Sequence, residues 1–111
     1  MKIKEIIEEL HLRALAGTEN LDADVTSGYT SDLLSDVIAN SKEGSLWITL
    51  QIHQNIVAVA KLKDLAGIII VNNREPDEET LKKANEEKVP VLCSNERAFE
   101  ISGKLYALVK A

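Results

Sequence analysis

Chemistry-capable residues gather at three points in the chain. Gln51, His53, Gln54 and Asn55 follow the apolar run 45–50 (SLWITL). Asn72, Asn73 and Arg74 end the run 67–72 (GIIIVN), and Ser94, Asn95 and Arg97 end the run 89–94 (VPVLCS). Ligands of open α/β sheets bind outside the carboxyl ends of the strands, where the next helices present free N–H groups. Amides, a hydroxyl, two guanidiniums and an imidazole would suit a small phosphorylated or nucleotide-like ligand. His53, Asn72 and Arg97 are therefore expected within reach of one ligand. Asn and Ser also cap helices and make turns, so position is what singles these residues out.

The remaining chemistry is sparse. Gly17, Gly28, Gly44, Gly67 and Gly103 make neither a Walker A loop nor a dinucleotide fingerprint. His11 and His53 have no second ligand at metal spacing. Asp32 and Asp36 share a helix face at i,i+4, which suits a metal pair but more often means a cap and a solvated carboxylate. Cys93 is a reactive thiol or, more commonly, a buried core cysteine. A single cysteine holds no internal disulfide, zinc or iron–sulfur cluster. No nucleophile–base–orienter series emerges, so no enzyme and no cofactor are expected. His53 in an asparagine-lined pocket is the weak exception.

The positioning elements follow from periodicity. The three apolar runs suit parallel strands covered on both faces. Pro90 near the start of the third is tolerable. Helices are expected over 54–63, 77–88 and 96–109, giving strand–helix alternation and right-handed βαβ units. Ile3, Ile6, Ile7 and Leu10 make one stripe of an N-terminal helix. Short strands are expected at 12–16 and near 24–29. Asp32 is a candidate N-cap for a helix through Val37 and Ile38, and Pro76 fits the first position of helix 77–88. The reading is a single-domain, three-layer α/β sandwich, residues 1–111, with a mainly parallel sheet of four to five strands.

Helix 54–63 carries apolar residues on two sides, Ile56, Val57 and Ala60 against Ala58, Val59 and Leu62. One side covers the sheet. The other is hidden by the N-terminal helix or by a second subunit, which makes a homodimer through helix 54–63 the expected assembly. The final helix has its own stripe, Ala98, Ile101, Leu105, Leu108 and Val109, flanked by Phe99 and Tyr106. Asp and Glu outnumber Lys and Arg by 18 to 13, so neither nucleic acid nor an anionic membrane is expected as a partner. No apolar run is long enough to span a bilayer and no signal peptide opens the chain, so a cytoplasmic location is expected.

Four stretches carry a family resemblance: residues 28–37 (GYTSDLLSDV), 45–55 (SLWITLQIHQN), 65–84 (LAGIIIVNNREPDEETLKKA), and 89–92 (VPVL) with the later FEISGKLY. In this order they resemble the stand-alone DRTGG-domain proteins over about residues 12–108. These are similar to the N-terminal domain of HPr kinase/phosphorylase and to regulatory modules of some phosphotransacetylases and CBS-domain proteins. The resemblance implies a MurF/HPr-kinase N-terminal-like fold and marks Tyr29, Asp32, Ser35 and Asp36 as motif residues. Asn72-Asn73 replaces the family's glycine pair, His53 stands near its acidic–basic pair, and Ala98 stands where its threonine is sought. Relatives labelled HPr serine kinases owe that activity to a separate P-loop domain, and an iron–sulfur hydrogenase label needs several cysteines. The function implied is a non-catalytic regulatory or ligand-sensing domain. The alternative is a docking subunit of a metabolic or redox complex.

Overall fold

The computed structural model describes residues 1–110. Five strands, β1 (Arg13–Ala16), β2 (Ser27–Thr30), β3 (Ser45–Thr49), β4 (Gly67–Ile70) and β5 (Val91–Cys93), form one sheet in the order β1-β5-β4-β3-β2. The helices are α1 (Ile3–Leu10), α2 (Leu34–Asn40), α3 (Asn55–Leu62), α4 (Glu78–Glu87) and α5 (Ala98–Val109). β2 to β5 pair in parallel, and Ile48 stands opposite Ile69, which stands opposite Leu92. All residues of β3, β4 and β5 are buried, including Ile48, Ile69 and Val91. A strand covered on both faces has no position left for a polar alternation, hence the unbroken apolar runs.

Successive side chains point to opposite faces and build two cores. Leu46, Ile48, Ile69 and Leu92 meet Ile3, Ile6 and Leu10 of α1 and Ile101 and Leu105 of α5. Trp47, Ile68, Ile70, Val91 and Cys93 meet Val37 of α2, Ile56, Val57 and Ala60 of α3, and Ala84 of α4. Each fully buried Ile or Leu contributes about 1.5–3 kcal/mol by leaving water. The result is a three-layer sandwich with α1 and α5 on one face and α2, α3 and α4 on the other.

Three sequence expectations need correction. α1 does not cover the second side of α3, because it packs beside α5 on the opposite face of the sheet. The neighbours of α3 are α2 and α4, which bury Val59 and leave Ala58 and Leu62 exposed. Asp32 does not cap α2. The cap position is Leu33, whose amide donates to Ser31 Oγ, while Asp32 reaches across to the end of β3. Pro76 precedes the N-cap of α4, Asp77, instead of opening the helix. The strand expected at 12–16 is present as β1, the one antiparallel member of a mainly parallel sheet, with an irregular register against β5.

One glycine sets how closely an edge packs. A Cβ at Gly28 of β2 would stand 2.8 Å from Leu105 Cδ2, so a larger residue there would make the Leu105 side chain of α5 shift over the edge strand.

Candidate functional site

The loops that follow β2, β3, β4 and β5 all open at the carboxyl end of the sheet, and hydrogen bonds tie them into one rim. Asp32 Oδ1 accepts from Thr49 Oγ1 at 2.9 Å and from the Leu50 amide at 2.7 Å. Gln51 Nε2 donates back to the Asp32 carbonyl at 2.8 Å. Arg74 Nη1 donates to the Leu50 carbonyl at 2.7 Å, joining the β4 loop to the β3 loop. The amides of Asn72 and Asn73 donate to Glu96 and Ser94 carbonyls at 2.7 and 2.9 Å, joining it to the β5 loop.

That last junction depends on backbone hand. Asn72 and Asn73 have φ of 64° and 55°, two successive left-handed residues. Glycine enters that region freely, and asparagine is among the few other residues that tolerate it. Two successive asparagines therefore meet what this turn asks of the backbone.

The expected site residues divide accordingly. Gln51, Arg74 and Ser94 are engaged in the rim, with Ser94 Oγ accepting the Glu96 amide at 3.0 Å. His53, Gln54, Asn55, Asn72, Asn73, Asn95 and Arg97 are exposed upon it. His53 Nδ1 accepts the Asn55 amide at 3.3 Å, which leaves its Nε2 outward. Gln54 and Arg97 occupy the N-cap positions of α3 and α5 without a side-chain cap bond. No hydrogen bond among the described residues joins the side chains of His53, Asn72 and Arg97.

The motif residues Tyr29 and Asp36 act locally. The Tyr29 hydroxyl donates to Asp36 Oδ1 and Oδ2 at 2.9 and 3.0 Å, and Asn40 Nδ2 donates to Oδ1 at 2.8 Å. Hydrogen bonds from Ser31, Asn40 and Tyr29, in falling order, hold the Asp36 carboxyl below its usual range. The bond to Asp36 pushes the Tyr29 phenol up. Ser35 is exposed. Trp47, fully buried, donates its indole N–H to the Ser31 carbonyl at 2.7 Å and so fixes the start of this motif against the core. Asp32 and Asp36 are thus separately occupied, and no group of three His, Cys, Asp or Glu among the described residues is placed to hold a metal ion. Cys93 is fully buried, and burial pushes its thiol up to about 11.

A second feature escaped the sequence reading. Between β2 and α5 lies a cleft of about 420 Å³, floored by Ile48, Leu105 and Val109 and edged by Thr30, Ser102 and Tyr106. The hydroxyls of Thr30 and Ser102 stand 2.7 Å apart. The signals for it were Gly28 in a strand and Tyr106, one of two aromatics of α5 that fall off its core stripe. Phe99 is 86% and Tyr106 69% exposed.

No helix among the described residues is long and apolar enough to cross a membrane. No curated protein matches the chain. The fold is similar to a crystal structure of the CBS and DRTGG domains of the regulatory region of Clostridium perfringens pyrophosphatase, complexed with its activator diadenosine tetraphosphate. The TM-score is 0.75 at 15% identity, over 92% of this chain and 44% of that one. The chain therefore spans less than half of that protein. A model of the DRTGG domain matches residues 5–108, from within α1 to the last turn of α5. The match takes in the second core, nearly all of the first and the whole carboxyl rim, and the chain belongs to the DRTGG-domain family.

Proposed function

We propose that this chain is a non-catalytic regulatory domain that senses a small phosphorylated or nucleotide-like ligand at the carboxyl rim of its sheet. The observation that carries this reading is the rim itself. Four loops are tied to one another through backbone groups and the side chains of Asp32, Gln51 and Arg74, while Asn72, Asn73, Asn95, Arg97 and His53 stay exposed on that base. Rigid placement of exposed donors lowers the ordering cost of binding. The exposed Arg97 guanidinium suits an anion, and the pyrophosphatase relative carries an activating nucleotide. A regulatory role is also what the sequence resemblance to the N-terminal domain of HPr kinase/phosphorylase would imply. The lone free thiol of Cys93 fits a reducing, cytoplasmic setting.

The test is a thermal-shift series with nucleotides, dinucleoside polyphosphates and phosphorylated metabolites. A ligand that binds only the native chain raises Tm in proportion to the logarithm of its concentration. Arg97→Ala and Asn73→Gly should each reduce the shift, the second because it keeps the turn and removes only the side chain. A shift unchanged by both would place the ligand elsewhere.

A second reading, a docking subunit of a larger metabolic or redox complex, draws on Phe99 and Tyr106, two large exposed aromatics on one helix. Enzymatic use of His53 is the weakest reading, since its Nδ1 is held by a backbone amide instead of a carboxylate.

A further inference from the structure

We propose that α5 is a self-docking helix: two copies of the chain pack α5 against α5 in antiparallel fashion about Ser102–Gly103, each placing its Phe99 at the mouth of the other's β2–α5 cleft. The inference stands apart from the ligand reading and uses different residues.

The exposed face of α5 is unusual for a surface helix. Phe99, Gly103 and Tyr106 follow one another at i, i+4 and i+7, so they lie along one side at about 100° per residue. Phe99 and Tyr106 are the two most exposed large apolar side chains of the described chain. Between them Ser102 and Gly103 form a low saddle, and a Cβ built on Gly103 meets nothing within 4 Å. A second helix could approach closely there.

Symmetry then selects the occupant. Phe99 lies three residues before Ser102, and Tyr106 three after Gly103. A two-fold axis through the saddle therefore sets Phe99 of each copy against Tyr106 of the other. Such an axis also keeps each flank of the helix opposite the same flank of its mate. The flank bearing Ser102, Tyr106 and Val109 is the one that lines the cleft, so the arriving Phe99 ring meets the apolar floor of Ile48, Leu105 and Val109. On the other flank Glu100 arrives beside Lys104, whose Nζ already stands 2.8 Å from Glu96 Oε1 within its own chain. Knob, acid and base lie on one helix beside the cleft that helix forms with β2, so a two-fold axis can pair each with its counterpart, as an isologous contact requires. A rim charge pair of this kind sets register more than affinity. An unrelated partner would have to supply both an aromatic knob and a receiving cleft at the same spacing.

Light scattering after size exclusion tests this on the full chain across a concentration series. The wild type should reach twice 12.2 kDa. Phe99→Asp and Gly103→Trp should each return it to one chain, while Leu62→Asp on α3 should leave the dimer intact. Both α5 changes fall on exposed positions, so circular dichroism melts should stay cooperative, and Phe99→Ser repeats the test with a milder change. A wild type that stays at one chain up to millimolar concentration overturns the proposal. So does a dimer that survives Phe99→Asp or Gly103→Trp, or one abolished by Leu62→Asp.

Discussion

Asp32 and Thr49, 17 residues apart, are joined by a 2.9 Å hydrogen bond in which the buried threonine hydroxyl donates to the exposed carboxylate. The same oxygen takes the Leu50 amide at 2.7 Å, so one acid closes the end of β3. Asp32→Ala leaves a buried hydroxyl without its acceptor and should cost about 1–3 kcal/mol in urea unfolding. Asp32→Asn keeps an acceptor oxygen and should cost less than half of that.

The Asp36 carboxyl gives the chain an acid-sensitive point. Its folded pKa lies below the ordinary value of 3.8, so its contribution to stability is present above 3.8. It is lost as pH falls through the depressed folded value. The carboxyl resonance should titrate below 3.8. Ser31→Ala should raise the midpoint most, Asn40→Ala next and Tyr29→Phe least, in the order of their contributions.

The asparagine turn predicts an unequal response to substitution. Asn72→Gly and Asn73→Gly should be neutral or slightly stabilising, since glycine accepts φ near 60° without strain. Asn72→Val should lower stability by about 1–2 kcal/mol, the penalty of a left-handed β-branched residue. Because the Asn72 and Asn73 amides hold the β5 loop, hydrogen exchange should accelerate at these two amides in the valine variant.

Cys93 should behave as core. Burial raises its thiol from 9.0 to about 11, so between those values the unfolded chain ionises while the folded one stays neutral. Stability from this residue is therefore full below pH 9 and falls as pH rises towards 11. An aromatic disulfide reagent at pH 8 should leave the native thiol untouched and label it at the rate of unfolding.

The sequence was most legible where physics is local. The runs at β3, β4 and β5 announced themselves because burial on both faces excludes every polar side chain. The edges were harder. β1 alternates poorly, with Arg13 and Ala14 exposed, and its antiparallel direction depends on β5, far along the chain. Asp32 looked like a cap because Asp usually caps, whereas its partners Thr49 and Leu50 lie across a strand boundary that spacing cannot reveal. The polar rim followed from the carboxyl-end rule. The β2–α5 cleft did not, since it exists only because the final helix returns to the far edge of the sheet, over Gly28. Phe99 and Tyr106 were visible from the start as aromatics beside the core stripe, but only the fold shows that they flank an open saddle.

The order β1-β5-β4-β3-β2 also sets a timetable. From β2 onward each new strand pairs with the one made just before it, so the parallel part of the sheet can grow as the chain leaves the ribosome. β1 is made before all of them and finds its only neighbour last, at Val91–Cys93. During synthesis, then, the oldest strand waits for the youngest. Until it docks, the apolar edge of β5 is the place where a newborn chain is open to the wrong strand.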